Sequence, residues 1–217
     1  MTLHLYIGNK AYSSWSLRPW LLLRAFDIPF DETVIPMYRP GTKAEMLAVS
    51  PNGKVPALHQ GAIVVSETVA IVEFLAETFP DHAIWPRDRA ARALARSISA
   101  EMHAGFVKLR QACPTNFRRA RRPIPISAEV RADVDRIEAL WADARARFGQ
   151  GGPFLFGAFS AADAMYAPVV NRLDTYAVPV SAGTRAYMEA VMALPAWQAW
   201  LADGAAEPWF HADYEAI

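Results

Sequence analysis

Ser50-Pro51-Asn52-Gly53-Lys54-Val55-Pro56-Ala57-Leu58, followed shortly by Ser66-Glu67-Thr68-Val69-Ala70-Ile71-Val72-Glu73-Phe74-Leu75, is the stretch that decides the fold. In its first part the turn residues Pro51, Asn52 and Gly53 lead into an apolar run entered through Val55-Pro56. A proline at that point has no backbone donor, so it suits a strand start or an edge, and the cis form of an X-Pro bond costs only about 0.5–1 kcal/mol. A cis bond here predicts a Val55 turned outward, its N–H and C=O free to pair with an extended peptide added at the sheet edge. In the second part Ile71, Leu75 and Phe79 recur every four residues, which predicts a helix starting near Ser66. The free N–H groups of its first turn, the Thr68 hydroxyl and the positive end of the dipole suit a carboxylate, and Glu67 suits an ammonium.

Upstream of this stretch, Leu3-His4-Leu5-Tyr6-Ile7 alternates as a strand does, a loop and a helix through Trp20 to Phe26 follow, and a second strand is expected near Thr33 to Met37. Ala44 to Ala48 reads as a short helical turn, Val55 to Leu58 and Ile63 to Val65 as short strands, and Ser66 to Thr78 as a helix. The order is βαβ, then ββα. Phe79-Pro80-Asp81 and Trp85-Pro86 break the pattern, no further strand is expected after them, and a boundary is set there. From Arg87 onward the spacing is helical. Leu94, Ile98, Met102, Phe106 and Leu109 mark one stripe, and Val130, Val134, Ile137, Trp141, Ala144 and Phe148 mark another, predicting two long antiparallel helices. A later helix opens at Ser160-Ala161-Ala162-Asp163 with Met165, Val169, Leu173 and Tyr176 on its apolar face.

The string Asn52-Gly53-Lys54-Val55-Pro56-Ala57-Leu58, with Glu67-Thr68-Val69-Ala70-Ile71 and Phe74-Leu75 after it, resembles the glutathione-binding signature of the glutathione S-transferase superfamily. Ser160-Ala161-Ala162-Asp163 resembles that superfamily's capping box, with Phe159 as its hydrophobic staple. The resemblance implies an α/β thioredoxin-like N-terminal domain over residues 1–80 that binds glutathione. An all-α helical domain over residues 87–217 then contributes the second-substrate pocket. It implies glutathione as co-substrate, bound at Lys54, Val55, Pro56, Glu67 and Thr68, with Lys54 offered to the glycyl carboxylate. It also implies a homodimer that acts on a small electrophile, the thiolate adding to an electrophilic carbon, a peroxide or a disulfide. The alternative is a transferase-fold binding or regulatory protein without catalysis.

For catalysis the thiol must ionise, and a free thiol titrates near ~8.5. Tyr12-Ser13-Ser14-Trp15-Ser16-Leu17-Arg18-Pro19-Trp20 lies between the first strand and the first helix, where the thiol would arrive. Pro19 is expected in the first helical turn, with Ser16 as the N-cap and Ser13 and Ser14 just outside the positive end. A hydroxyl donating to a thiolate contributes about 1.5–3 kcal/mol and the helix end about 0.3–1 kcal/mol. At ~1.36 kcal/mol per pKa unit, these together lower the thiol pKa by roughly 1.5–3, and no general base is required. Ser13-Ser14-Trp15-Ser16-Leu17-Arg18 resembles the Ser-Ser-Cys-Ser-x-Arg stretch of the zeta class, which includes maleylacetoacetate isomerase, with Trp15 standing where that class has cysteine. Counting back from Arg18 matches the catalytic serine to Ser13, the favoured position, whereas alignment with other serine-type transferases favours Ser14. The zeta-like string implies glutathione-dependent cis–trans isomerisation as a narrower activity. Arg18 is expected to orient the loop or to pair with an acid inside the first domain.

Composition narrows the rest. The chain has 217 residues, 53% of them hydrophobic, enough for a full core. Lys plus Arg equals Asp plus Glu at 22 each, so no global field draws it to nucleic acid or an anionic membrane. The cluster Arg118-Arg119-Ala120-Arg121-Arg122 is the one local exception, expected as a solvated loop. No apolar window approaches ~18 residues, and the start lacks a basic, then long apolar, leader pattern, so neither membrane spanning nor secretion is expected. With one cysteine, Cys113, no disulfide framework or cysteine-based zinc cluster is expected, no metal site is assigned, and the cytoplasm is the expected compartment. Cys113 is expected to be buried and inert. Tyr12, Trp15, Tyr38, His103, Phe106 and Arg110 are candidates to line an apolar pocket beside the thiol.

Overall fold

A computed structural model describes residues 2–217. Its first half is a four-stranded mixed sheet with helices against it. Strand β1 (Leu3–Ile7) buries Leu3, Leu5 and Ile7 and turns His4 and Tyr6 to the other face, as its alternation predicts. Helix α1 (Ser14–Ala25) crosses to β2 (Phe30–Val34), which pairs parallel with β1 from Leu3 opposite Phe30 to Ile7 opposite Val34. The second strand therefore lies earlier than the Thr33 to Met37 expected. The Ile35 N–H makes the last bond, 2.8 Å to Ile7 O, and Pro36 has no donor with which to continue.

After α2 (Thr42–Val49) come β3 (Ala57–Gln60) and β4 (Ile63–Ser66), antiparallel to each other, with β3 also antiparallel to β1, giving the order β2-β1-β3-β4. The β3–β4 loop is two residues long, and its Gly61 sits at φ 60, a conformation such hairpin loops require and glycine accepts freely. Helix α3 (Thr68–Thr78) closes this half.

The rest is helical: α4 (Arg89–Ala104), α5 (Val107–Ala112), α6 (Ala128–Phe148), α7 (Ala161–Thr175), α8 (Ala182–Met192), α9 (Pro195–Ala206) and the short α10 (Ala212–Glu215). The first long stripe is split between α4 and α5. The α4 N–H ladder ends on Gly105, where a Cβ would lie 2.8 Å from Glu101 O, and Phe106 takes φ 57 before α5 begins. The second stripe forms one helix, α6, with Val130, Val134, Ile137, Trp141 and Ala144 buried.

Helix α7 runs through the middle of the molecule and packs on α1, α4 and α8, which is why nearly all of its residues are buried. Ser160 and Asp163 form the expected capping box at its start: the Ser160 N–H donates to Asp163 Oδ2 at 2.9 Å. The other Asp163 oxygen accepts from the Leu155 N–H at 3.0 Å. Phe159 packs against Phe26 and Phe154.

Candidate active site

A cavity of about 310 Å³ opens between the two halves. Ser13, Ser14 and Trp15 of α1 and its cap form one wall, Val55 another, and Arg110 and Arg172 face them from α5 and α7, with Tyr12, Tyr38 and Tyr214 completing the enclosure. Of the residues predicted to bind or activate a ligand, Ser13, Ser14 and Val55 share this cavity. Tyr12, Trp15, Tyr38 and Arg110 line it as expected, whereas Phe106 is buried in the core and His103 packs against Trp15 with tilted rings at a centroid separation of 5.0 Å.

The start of α1 differs from expectation in its cap. Ser13, not Ser16, is the N-cap: its Oγ accepts from the Ser16 N–H at 3.4 Å and lies 2.8 Å from Ser16 Oγ, which in turn accepts from the Gly8 N–H at 3.0 Å. Pro19 is then the sixth helical residue instead of a first-turn one. The carbonyl that an N–H at position 19 would have bonded is that of Trp15. The Thr68 hydroxyl donates to it at 3.3 Å, so a threonine from α3 occupies the acceptor that the proline leaves open.

The loop ahead of Ser13 is held from the helical half. Both oxygens of Glu207 accept backbone N–H groups, Lys10 at 2.7 Å and Ala11 at 3.0 Å, and the Phe117 N–H donates to Ala11 O at 2.9 Å. Burial raises the Glu207 carboxyl against the opposing pull of those two N–H groups. The Lys10 ammonium, itself buried, reaches Glu32 at 2.6 Å and Asp203 at 2.7 Å. Helix α9 comes this close because residue 204 is glycine: a Cβ there would lie 3.1 Å from Ala11 N.

The Val55–Pro56 bond is cis, as predicted. Among the described residues none hydrogen-bonds the Val55 N–H or C=O, and Pro56 is buried behind it. Glu67 is exposed and sits at φ 90, which for a non-glycine residue is a strained backbone. No side chain caps α3, so its first-turn N–H groups point free from the end of the helix. The Thr68 hydroxyl proton, expected to face a ligand, is instead directed to Trp15 O. Lys54 is exposed and makes no ion pair among the described residues.

Family models match both halves: a glutathione S-transferase N-terminal domain over residues 12–78 and a glutathione S-transferase C-terminal domain over residues 118–203. The chain belongs to the glutathione S-transferase superfamily. Among the relatives it is similar to are the "Probable maleylacetoacetate isomerase" of Caenorhabditis elegans, 31% identical over 105 residues, 48% of each chain, and "Glutathione S-transferase 1" of Dianthus caryophyllus, 31% identical over 93 residues, 42% of this chain and 41% of the relative. The chain spans about half the length of the curated relatives it matches. Its fold is shared with a crystal structure of a glutathione transferase homolog from Burkholderia strain BGR1 with bound glutathione. That match has a TM-score of 0.71 at 23% identity and covers 94% of this chain and 98% of the other.

Further departures from sequence expectation involve the helical half. Arg18 pairs with no acid in the first domain: 1% exposed, it donates to Met165 O at 2.9 Å and Ser14 O at 2.7 Å, reaching across to α7. The arginine cluster is a loop with Arg121 and Arg122 exposed, as expected, but its side chains are engaged by the protein. Arg118 donates to Glu207 O, Arg119 and Arg122 to Ile217 O, and Arg121 pairs with Asp174. Cys113 is buried, as expected, and burial raises its thiol to about 11. Arg172, Thr115 and Tyr214 were missed. They are an interior position of a buried helix, a loop residue and a residue of the last short helix, and none carries a local pattern that points to a site. Among the described residues no group of three or more His, Cys, Asp or Glu is placed to hold a metal, and no helix is long and apolar enough to cross a membrane.

Proposed function

We propose that this chain is a glutathione transferase, with glutathione as co-substrate and an electrophile as second substrate. The observation that carries the reading is the coincidence, in one cavity, of an unpaired Val55 edge and the N-terminus of α1 with its two serines. Glutathione lies along Val55 as an added strand. Its γ-glutamyl carboxylate meets the open first turn of α3 at Thr68, its ammonium meets Glu67, and Lys54 attends the glycyl carboxylate. Its sulfur then falls at the cap of α1, where the dipole favours the anion.

Ser13 is the proposed donor to the thiolate. At the cap its hydroxyl stands next to that of Ser16, and the Ser16 proton can turn toward Ser13 Oγ, leaving the Ser13 proton for sulfur. Such a chain of hydroxyls strengthens the terminal bond. One observation favours Ser14 instead: it lines the same cavity and its hydroxyl has no protein partner among the described residues. Ser13→Ala is expected to raise the kinetic pKa of bound glutathione by about 1 or more, with binding nearly intact. If Ser14→Ala does this and Ser13→Ala does not, the roles are exchanged. A chain that neither binds glutathione in calorimetry nor gives thiolate absorbance on mixing is a transferase-fold binding protein and not an enzyme.

A second reading is a glutathione-dependent cis–trans isomerase. The string from Ser13 to Arg18 and the isomerase relative favour it, and turnover of maleylacetone without net consumption of glutathione tests it. A homodimer and a cytoplasmic location complete the proposal; sedimentation of the purified chain tests the first.

A further inference from the structure

The wall opposite the serines carries an excess of positive charge that the protein does not neutralise. Arg110 and Arg172 stand there, and the buried Arg18 of α1 comes close enough behind Trp15 to feel both charges. The Arg18 and Arg110 guanidinium carbons lie 4.2 and 4.6 Å from the centre of the Trp15 ring. Every protein partner of the three is neutral: Arg110 donates to His103 O at 3.2 Å and Gly105 O at 3.1 Å, Arg172 to Arg110 O at 3.0 Å and to Cys113 O, and Arg18 to Met165 O and Ser14 O. Among the described residues no carboxylate lies within ion-pair distance of any of them, whereas Arg96, Arg121, Arg131, Arg136, Arg147 and Arg185 of the helical half each have one. Arg172 is 5% exposed, and its Nε has no hydrogen-bond partner among the described residues.

A buried cation without an anion is a standing cost. Burial, and then the neighbouring guanidinium of Arg110, push Arg172 down to about 10, and burial followed by Arg172 and Arg110 push Arg18 well below its ordinary range. A guanidinium keeps its charge in proteins, so an anion entering the cavity relieves repulsion that the folded chain already bears. Arg110 and Arg172 both line the cavity, and a guanidinium presents paired N–H groups that match the two oxygens of a carboxylate.

We propose that Arg110 and Arg172 form an anion subsite that selects electrophiles carrying a carboxylate, making them specificity-determining residues of the transferase reaction. The inference rests on the proposed transferase reading and deepens it. In the step it serves, the glutathione thiolate forms a C–S bond at a carbon bearing halide, and the halide leaves with the C–halogen electron pair. The thiol proton passes to solvent, and the substrate carboxylate stays on the arginines unchanged.

Two measurements test the subsite. Binding of unreactive 3,5-dinitrobenzoate and 3,5-dinitrobenzamide to the wild-type chain and to Arg110→Gln is read by calorimetry with glutathione present. The carboxylate is expected to bind the wild type at least about tenfold tighter than the amide, and the ratio to approach one in Arg110→Gln, with Arg110→Lys between them. Equal affinity of the two for the wild type, or a ratio unchanged in Arg110→Gln, overturns the inference. Turnover of 4-chloro-3,5-dinitrobenzoate and the matching amide, each divided by its uncatalysed rate with glutathione, should show the same preference in kcat/KM. Conjugation of both without that preference sinks the subsite alone, whereas tight carboxylate binding with no conjugation of either compound retains the subsite and removes the transferase reading.

Discussion

The two halves of the molecule line the same cavity by opposite means. The sheet half contributes the Val55 edge and the cap of α1, fixed by local turn, proline and capping chemistry within short stretches of chain, with the first turn of α3 tied to α1 through Thr68. The helical half contributes side chains, Arg110 and Arg172, sent inward from helices whose positions depend on packing throughout the core. Backbone recognition suits one invariant ligand. A half-buried helical side chain such as Arg110 can be exchanged at less cost to the fold than a backbone edge can, which suits the proposed role of this wall in choosing the second substrate. The comparison holds only if the helical half has its own rigid anchor and a separate clamp ties it to the serine loop.

That anchor is Asp163, and removing it carries the largest expected effect. Its carboxylate is fully buried and accepts from Leu155 N–H, Ser160 N–H and Ser160 Oγ. Asp163→Ala leaves those donors without partners, and a loss of about 3 kcal/mol or more in urea unfolding is expected; a loss below about 1 kcal/mol would show that α7 needs no such cap. Burial raises this carboxyl to about 6 in the folded chain, whereas an unfolded aspartate titrates near ~3.9. The folded state therefore takes up a proton between those values. Relative to the non-titrating Asp163→Asn, the wild type should gain on the order of 2 kcal/mol as pH falls from 7 to 4, and lose it again as pH rises through 6. A difference between the two that is constant with pH, or of opposite sign, contradicts the assignment.

Legibility in the sequence follows the same division. The cis bond at Val55–Pro56, the short strands, α3 and the capping box of α7 were readable because each is specified by residues within a few positions of one another. The sequence points to Ser16 as the cap of α1 because a proline at position 19 suits a first helical turn, yet the cap is Ser13. That rule fails here because Thr68, 53 positions along the chain from Trp15, supplies the missing hydrogen bond. The break between α4 and α5 had a local sign in Gly105, obscured by the apolar stripe that runs across it. Arg110 and Arg172 converge across 62 positions, and neither periodicity nor composition encodes such a meeting.

The clamp between the halves is Glu207, and its removal should be felt in both stability and chemistry. Glu207→Ala strands the N–H groups of Lys10 and Ala11 next to a buried lysine, for an expected loss of about 2 kcal/mol. Those residues lead directly into Ser13, so the kinetic pKa of bound glutathione should rise as well. Glu207→Gln, which keeps one acceptor, should fall between wild type and Glu207→Ala on both scales. A variant that loses stability but keeps the wild-type pH profile of kcat/KM would show that the serine loop holds its shape without the helical half.

Lys54 gives the smallest effect and the sharpest view of the sheet half. Its ammonium is exposed and has no partner among the described residues, so its proposed contribution to a glutathione carboxylate is that of a solvent-screened pair, about 0.2–1 kcal/mol. Lys54→Ala should raise the KM for glutathione by about threefold at low ionic strength, leave kcat nearly unchanged, and converge on the wild type near 1 M salt, where the Debye length shrinks to about 3 Å. Glu67→Ala is the contrasting case: Glu67 stands on a strained backbone at the end of α3, and the held geometry should make its loss more costly and less sensitive to salt. If Lys54 proves as costly as Glu67 and as indifferent to salt, the glycyl end of the tripeptide is enclosed by groups that close only on binding. Recognition in the sheet half would then no longer be a matter of preformed backbone.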